Sequence, residues 1–562
     1  MSESKLQLLL SNPDSGPTVP EGLSAELLQV APAPSPAKKM AFRTSMIHSA
    51  QDLPSQKWAL IAPDPSVPNM RRKGSDLVRW VEQLVAHRAA QQGGPVRPPY
   101  FVPPYMDMED AAHWYETQYM QEPDPLKRPR YLLILGDLDE VSLELQMFLG
   151  SLDLFVGRIT FETEEQFRNY VDKVIHWEQP RAQPVVGQSW LWGVRDGSDA
   201  TTLGEKGLIE PLELRCKNSS YPYLGSPYRH PQSLNPPSRD GFLRAARTSV
   251  PTFLLSLSHG VGRSVSDWGS VTRQRECQGG LFFGPNEVLY AKDLATGPFL
   301  PGGFWFYFAC FGAGTPRVST YSHWMKLLLS SSSAPTEKVK RQLEAIQGVI
   351  PPDSSVGGRP FIAALPQAVL ANPEGPIGVI GHVDLAWSYS FGDTLGKQTA
   401  SFHLSRFADT IGSLAQATRI GLAFHSLLNH LAAISTQLLA KYDAEARSAK
   451  DGVGIKYDPT ERTRLWMLRQ DLSCYILLGD PAAPFPIGAP TPSAIYSGVG
   501  PTNPEEISIR ERAVLACLAS PTTHDQIAAQ YGVDPATFAG WIAAYTAAGR
   551  AALAGLIRSP AQ

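Results

Sequence analysis

The chain has few cysteines and no long apolar run. Its five cysteines are scattered over 562 residues, an odd number that suggests no disulfide framework and fits a reducing compartment. No stretch of about 18 apolar residues occurs, so no membrane span is expected. The amino terminus is polar and carries only three consecutive leucines, too few for the core of a signal peptide. These absences predict a cytoplasmic protein with no membrane partner.

Common ligand-binding motifs are also missing. The sequence has no P-loop, no G-x-G-x-x-G pattern and no C-x-x-C pair that would hold zinc. His425 and His430 are five residues apart, a spacing that does not place both on one face of a helix. No cofactor and no metal ion is therefore expected. The net charge of −3 gives no general reason to expect nucleic acid as a partner.

Length and composition predict several domains, since 562 residues are too many for one core and the hydrophobic fraction of 43% is ordinary. The sequence divides by composition into a Pro-, Ser- and Ala-rich mobile tail, a small α/β subdomain, a main α/β domain, a linker and a helical module. Their predicted ranges, in that order, are 1–40, 41–127, 128–490, 491–504 and 505–562.

Local patterns predict the following elements. Strands are expected at residues 57–63, 131–136 and 155–156, and helices at 76–92 and 106–120, with a helix that begins at Thr163 and a packed helix at 424–442. Residues 98–105 are expected to be a proline-rich connector, and residues 179–250 a long loop-rich insertion.

The region from residue 251 to 316 contains two apolar runs, each of which stops at a reactive residue followed by glycine-rich chain. Residues 253–257 lead to His259, and residues 304–309 lead to Cys310. In open parallel sheets, ligands bind where the carboxyl ends of the strands meet the loops, so both side chains would face one crevice. The separation of 51 residues fits a strand, a crossover and a second strand. It also matches the upstream His of caspase-type nucleophiles, which lies about 50 residues before the Cys.

A thiol and an imidazole make a nucleophile and its base. A free thiol is mostly protonated at neutral pH, and a neighbouring imidazole can take its proton or stabilise the thiolate. The glycine after each residue would let a substrate carbonyl approach the backbone closely. The alternative is a core histidine and a core cysteine at two strand ends, because free cysteine is among the most buried residue types. The paired pattern favours the catalytic interpretation.

Several segments in the same order resemble the C25, or gingipain-type, cysteine peptidases. They are the strand end VGR and helix VDKVIHWE within residues 152–178, the SHG and ACFGAG segments at His259 and Cys310, and the later IGVIGHVDLAW (377–387) and ILLGDPAAPF (476–485). The resemblance covers about residues 131–485. It implies an α/β fold of the caspase-haemoglobinase type: a mainly parallel sheet flanked by helices, with a Cys–His dyad above it.

The resemblance also implies roles for individual residues. His259 would be the general acid and base, Cys310 the nucleophile, and the N–H groups of Gly260 and Cys310 the oxyanion hole. The sequence departs from the pattern between His259 and Cys310, in the insertion, and after Asp137, where no acid can be assigned to an arginine or lysine pocket. Trypsin-like specificity is therefore not assumed.

Three aspartates are secondary candidates. Asp267 could orient His259, although a solvated loop position is the favoured interpretation. Asp384 and Asp480 follow apolar runs and are expected to cap the turns there.

The last segment, residues 505–562, resembles the helix-turn-helix of transposase-type proteins, in which the third helix would enter the major groove. Its basic residues number four and its acidic residues five, so it offers few phosphate contacts. A role in protein docking or self-assembly is favoured over DNA binding.

The sequence therefore predicts a cysteine endopeptidase that cleaves protein substrates through a thioester, as a regulated bacterial effector. A regulatory protein partner or self-assembly through residues 505–562 is expected. The alternatives are a catalytically silent caspase-like scaffold and a DNA-binding regulator.

Overall fold

The structure is a computed structural model that describes residues 10–12, 16–17, 49–219, 221, 223–225, 238–263, 265–284, 287–294, 297–330, 337–350, 359–391, 400–451 and 459–488. The predicted linker and helix-turn-helix module lie outside the described residues.

The described strands are short and mostly apolar. They are β1 (Leu10–Asn12), β2 (Gly16–Pro17), β3 (Trp58–Pro63), β4 (Tyr100–Val102), β5 (Tyr131–Leu135), β6 (Phe155–Ile159), β7 (Gln188–Gly193), β8 (Thr252–Leu257), β9 (Gly260–Val261), β10 (Leu281–Gly284), β11 (Glu287–Leu289), β12 (Phe304–Phe308), β13 (Gly314–Thr315), β14 (Phe361–Ile362), β15 (Gly378–His382) and β16 (Tyr475–Gly479).

The described α-helices are α1 (Leu53–Gln56), α2 (Gly74–Trp80), α3 (Glu82–Gln91), α4 (Met108–Trp114), α5 (Leu143–Gly150), α6 (Glu164–Trp177), α7 (Asp199–Gly204), α8 (Glu210–Lys217), α9 (Arg239–Ala245), α10 (Val271–Cys277), α11 (Ser322–Ser330), α12 (Glu337–Val349), α13 (Ala364–Ala371), α14 (Ala400–Leu414), α15 (Ile420–Asp451) and α16 (Pro459–Ser473). Single π-helical turns continue α4 at Tyr115–Tyr119 and α7 at Glu205–Ile209. Short 3₁₀ turns lie at Pro125–Lys127, Val265–Trp268, Ala291–Leu294 and Ser388–Ser390.

Nine strands form one large sheet in the order β4-β3-β5-β6-β16-β15-β12-β8-β7. The strands β4, β3, β5 and β6 are parallel to one another, and so are β15, β12, β8 and β7. Between these two blocks lies β16, which is antiparallel to β15. Most of these strands are buried along their whole length, which explains their continuous apolar runs. The expected mainly parallel α/β sheet is confirmed.

Two smaller sheets accompany the large one. The first has the order β11-β10-β9-β1-β2, and the second pairs β13 with β14. In the first, β9 pairs with β1 in parallel and with β10 in antiparallel orientation. The strand β9 directly follows the loop after β8 that carries His259, and β13 directly follows the loop after β12 that carries Cys310. Each small sheet therefore begins next to one of these two loops.

Several elements follow the predictions closely. The helix after Thr163 has a capping box, in which the Thr163 hydroxyl accepts from the Gln166 N–H and the Gln166 side chain returns to the Thr163 N–H. The predicted helix at 76–92 is present as α2 and α3, which meet at Val81. Gly93, at φ +68°, ends α3 in the left-handed conformation that favours glycine.

Two predictions of local structure were wrong, those for residues 98–105 and 179–250, and a third, the strand at 155–156, was correct but too short. The proline-rich stretch 98–105 contains β4, an edge strand of the large sheet. The strand predicted at 155–156 continues through Gly157 and Arg158 to Ile159. The described part of the insertion 179–250 contains β7 and three α-helices, α7, α8 and α9, and β7 forms the other edge of the large sheet.

Strands β3 and β4, from the predicted 41–127 subdomain, belong to the same sheet as β12. The ranges of the predicted domains stay predictions. Among the described residues, no helix is both long enough and apolar enough to cross a membrane.

Candidate active site

The strands β8 and β12 are parallel neighbours, with Leu257 opposite Phe308. The Ser258 N–H donates to the Phe308 carbonyl at 3.1 Å, which continues the pairing one residue beyond β8. His259 and Cys310 each lie two residues beyond the last paired position of their strands. The structure therefore brings these two residues to the same edge of the sheet.

The backbone of Gly260 lies directly against that of Cys310. A β-carbon built on Gly260 would lie 1.8 Å from the Cys310 carbonyl oxygen and 2.9 Å from its nitrogen. Real β-carbons essentially never come within 3.0 Å of such atoms. Only glycine allows the two loops this approach, so Gly260 fixes how closely His259 can sit to Cys310.

His259 is fully buried and contacts two polar side chains from the chain that follows β7. Its Nε2 lies 2.8 Å from the Ser198 hydroxyl oxygen and 3.3 Å from Asp196 Oδ2. The other Asp196 oxygen accepts from the Thr201 hydroxyl at 2.6 Å. A carboxylate beside Nε2 favours the tautomer with its proton on that nitrogen, so exchange of a proton with the thiol would use Nδ1.

Asp196 and Ser198 were not predicted, because both belong to the segment interpreted as a loop-rich insertion. Residues 196–201 carry a signal that could have been used: Ser198 is the N-cap of α7, and its hydroxyl accepts from the Thr201 N–H. The acid predicted as an alternative partner of His259, Asp267, is exposed. The carboxylate beside His259 is that of Asp196.

The Cys310 side chain is fully buried and touches one peptide unit of a neighbouring segment. The Ala386 N–H donates to the Cys310 Sγ at 3.2 Å. The Cys310 S–H in turn donates to the Ala386 carbonyl oxygen, with 3.6 Å between sulfur and oxygen. Burial raises the pKa of the Cys310 thiol well above its ordinary value, and the nearby carboxylates of Asp471 and Asp384 raise it further. This conformation therefore holds Cys310 as a neutral thiol.

Phe311, the residue after Cys310, has a φ of +56°. Such a conformation is unusual for a bulky side chain and costs about 1–2 kcal/mol. Its N–H donates to the Asp384 carbonyl at 2.9 Å, and its own carbonyl packs on Gly279. Strain of this kind persists only where surrounding contacts fix the backbone, and it is frequent next to functional residues.

Ala386 belongs to a short stretch, Asp384–Ser390, which we call the cover segment. At its start, Asp384 accepts from the Leu385 N–H at 2.8 Å, which is the predicted turn cap. The same carboxylate accepts from the Ser319 hydroxyl at 2.9 Å and the Thr320 N–H at 2.8 Å. The carboxylate is fully buried, and burial raises its pKa.

At the other end of the cover segment lies Asp471, near the end of α16. Asp471 accepts from the Trp387 N–H at 2.9 Å and from the Ser390 hydroxyl. His382 Nε2 lies 3.3 Å from its Oδ1. Asp471 was not predicted as a site residue, since an acid in the sequence RQDLSCY looks like an ordinary exposed position near a helix end.

The chain after β5 carries three buried acids, although no acid there could be assigned from the sequence to a pocket for an arginine or lysine side chain. Their partners are arginines of the chain itself, so they form an internal ion-pair cluster and present no open acidic pocket. Arg275 lies 2.6 Å and Arg71 lies 3.3 Å from Asp137, Arg72 pairs with Glu140, and Arg359 lies 3.6 Å from Asp139.

The remaining predicted residues have other surroundings. Asp480 caps the turn after β16 through the Ala482 N–H at 3.1 Å, and it also pairs with the buried Arg88 at 2.7 Å. His425 and His430 lie near Asp153 and Asp409 respectively, on the long helix α15. Within the described residues, no group of three or more His, Cys, Asp or Glu side chains is placed to hold a metal ion.

Residues 100–202 match the model of peptidase family C25. The matched segment runs from β4 to α7 and includes Asp196 and Ser198, and it ends before His259 and Cys310. This match supports a cysteine-type peptidase. It spans less than a fifth of the chain.

The comparison with solved structures gives distant similarities. The Arg-specific cysteine proteinase gingipain R (RgpB) has 12% identity and a TM-score of 0.40, with 78% of this chain and 80% of that chain covered. The complex of the pro- and mature domains of Porphyromonas gingivalis RgpB gives the same identity and TM-score, with 78% and 81% covered. A structure described as a protease has 13% identity and a TM-score of 0.40, with 76% and 77% covered. These values are too low for residue roles to be transferred. The comparison with curated proteins found no match.

Proposed function

We propose that this protein is a cysteine endopeptidase in which Cys310 is the nucleophile and His259 its general base and acid. The observation that carries the proposal is the arrangement at the ends of β8 and β12. The Gly260 backbone packs on Cys310, and His259 is held through Nε2 by Ser198 and Asp196.

The proposed reaction is acyl transfer. The Cys310 thiol passes its proton to His259, and the sulfur attacks the carbonyl carbon of the scissile peptide bond. The oxygen that becomes negative would accept from the N–H groups of Gly260 and Cys310. His259 then gives the proton to the leaving amine, and a thioester remains on Cys310. Water, which loses a proton to His259, releases the acid product and restores the thiol.

Asp196 and Ser198 have a positioning role in this proposal. They fix the ring of His259 and favour the proton on Nε2, so Nδ1 is the nitrogen that would take the proton of the thiol. The negative charge of Asp196 also stabilises the imidazolium that forms after proton transfer.

In this proposal the described conformation is the inactive form of the enzyme. Both His259 and Cys310 are fully buried, and a peptide bond cannot reach Sγ while Ala386 contacts it. A protein substrate requires displacement of the cover segment. This requirement fits a regulated endopeptidase, and we keep the proposals of a cytoplasmic bacterial effector and of a regulatory partner or self-assembly through residues 505–562.

The same burial favours a second candidate, a catalytically silent scaffold. In that case Cys310 would be a core residue, and its contacts with Ala386 would stabilise the fold only. A DNA-binding regulator remains the third alternative. It predicts that the isolated residues 491–562 shift the mobility of a DNA duplex in a salt-dependent manner.

The deciding experiment maps new protein termini by mass spectrometry after incubation of a denatured proteome with the full-length protein, with and without lysate of its host. We expect termini that appear with wild type, disappear with Cys310→Ala and His259→Ala, and persist with Cys277→Ala. Cys277 is a half-buried thiol outside the site, so it controls for loss of any cysteine. If wild type and Cys310→Ala give the same termini under both conditions, the endopeptidase is refuted and the scaffold is favoured.

A further inference from the structure

The cover segment is fixed at both ends by buried carboxylates that belong to different elements. Asp384 is part of the segment itself and is tied to Ser319 and Thr320. Asp471 comes from α16 and holds the other end through Trp387 and Ser390. Between these two anchors, the N–H of Ala386 points at the Cys310 sulfur.

Asp471 makes the bonds that decide the course of the segment over the thiol. A backbone N–H and a hydroxyl, three residues apart in the segment, converge on its two oxygens. Loss of one hydrogen bond to a charged acceptor shifts an equilibrium about tenfold or more, so two such bonds can offset the entropy lost when a short loop is ordered. Arg406 adds a bond from its guanidinium to the Ser390 carbonyl at 2.8 Å.

The two anchors, Asp384 and Asp471, hold different parts of the site. The Asp384 carbonyl accepts from Phe311 N–H, so changes there would disturb the backbone that carries Cys310. The Asp471 carboxylate accepts from the Trp387 N–H and the Ser390 hydroxyl, and it lies beside His382, whose other ring nitrogen contacts the Asp384 backbone. Release of Asp471 would therefore loosen the far end of the cover segment, while the bonds of Asp384 to Ser319 and Thr320 still hold the end beside the Cys310 backbone.

We propose that Asp471 is a positioning residue that latches the cover segment over Cys310 and thereby sets the access of substrate to the nucleophile. This inference rests on the proposed role of Cys310 as nucleophile. Its physical content is an equilibrium between a latched state, in which Sγ contacts Ala386, and an open state, in which Sγ is accessible. Weaker bonds at Asp471 increase the open fraction.

Accessibility of a thiol can be measured without any catalysis. Full-length protein is treated with iodoacetamide under native conditions, and alkylation of each cysteine is followed by peptide mass spectrometry. Cys277, which is half-buried, serves as the fast reference, and the buried Cys216 and Cys474 as slow references. Alkylation needs a thiol that is accessible and can ionise, but it needs no catalysis, so the result stands even if no peptidase activity is found.

Two variants weaken the latch to different extents. Ser390→Ala removes one hydroxyl that donates to Asp471, and Asp471→Asn removes the charge that both donors share. We expect alkylation of Cys310 to become about tenfold faster in Ser390→Ala, the change expected when one hydrogen bond to a charged acceptor is lost, and faster still in Asp471→Asn. Cys216 and Cys474 should keep their wild-type rates.

Matched controls separate a latch from general loosening. Ser435→Ala removes a hydroxyl bond within α15. Asp480→Asn changes a buried aspartate that follows the other end of β16 and pairs with Arg88. Neither should change the ratio of Cys310 to Cys474 alkylation.

The proposal is overturned if Cys310 keeps its wild-type rate in both latch variants, or if Cys474 and Cys216 accelerate together with it. Faster alkylation of Cys310 alone, without new protein termini, would keep the latch and refute the peptidase. New termini with an unchanged alkylation rate would keep the peptidase and refute the latch.

Discussion

Substitution of Gly260 by alanine should disable the site while most of the fold remains. The added β-carbon would lie 1.8 Å from the Cys310 carbonyl oxygen, where contacts under 3.0 Å essentially do not occur. The two loops would have to separate by about 1 Å or more, and a displacement of that size can reduce the rate about a hundredfold. Overpacking of a buried contact costs about 1–3 kcal/mol of folding stability.

The measurement combines urea unfolding with the yield of new protein termini per folded molecule. Gly94→Ala is the matched control, since a β-carbon there meets nothing within 4 Å and its backbone is not in the left-handed region. We expect the Gly260→Ala variant to fold with reduced stability and to give far fewer new protein termini per folded molecule than wild type. Wild-type stability together with wild-type cleavage would refute the close approach of the two loops.

Four further predictions concern the site and the buried ion pairs of Arg88. Asp196→Asn should reduce kcat about a hundredfold or more with little change in stability, and the exposed neighbour Asp199→Asn should not, as measured by cleavage rates at saturating substrate. Arg88→Met should reduce the free energy of unfolding by about 3–5 kcal/mol, because two buried carboxylates lose their partner. Burial alone would raise the pKa of Glu178, but Arg88 and His87 outweigh it and lower the pKa to about 2, so the stability from this pair should be present above about pH 4.5 and be lost as the pH falls toward 2. Urea unfolding at several pH values should show this loss in wild type and not in the Arg88 variant. Removal of residues 1–48 deletes β1, which pairs with Gly260–Val261, and should accelerate cleavage several-fold; an unchanged rate would show that this strand does not restrain the site.

The sheet and its strand ends were predictable because apolar runs carry their own signal. A strand buried on both faces has to be apolar throughout, so β8 and β12 stand out in the sequence, and the residues after them follow by chain order. The insertion at 179–250 was misinterpreted because β7 begins with the polar Gln188 and follows a stretch that contains two prolines. These residues hide the pattern of a strand that pairs on one side only, at the edge of the sheet.

The polar partners could not be predicted in the same way. Asp196 reaches His259 from 63 positions earlier in the chain, and Asp471 reaches Ser390 from 81 positions later. No periodicity links such residues, because their contact depends on how β7 lies beside β8 and how α16 leads into β16. A single sequence does not show whether an acidic residue is buried or exposed, because its burial depends on how the folded elements pack around it.

The electrostatics around Cys310 connect access with reactivity. In the latched conformation the thiol is buried and near the carboxylates of Asp384 and Asp471, and both conditions disfavour a thiolate. Displacement of the cover segment would take away the Ala386 N–H, whose bond lowers the pKa of Cys310, but it would also admit water and substrate. Because burial is the larger effect, its relief would lower the cost of charge on Cys310. The movement that admits a peptide is therefore the one that would let His259 stabilise the thiolate. An enzyme built in this way would be inactive by default, since the nucleophile would become both accessible and ionisable only after the segment held by Asp471 has moved.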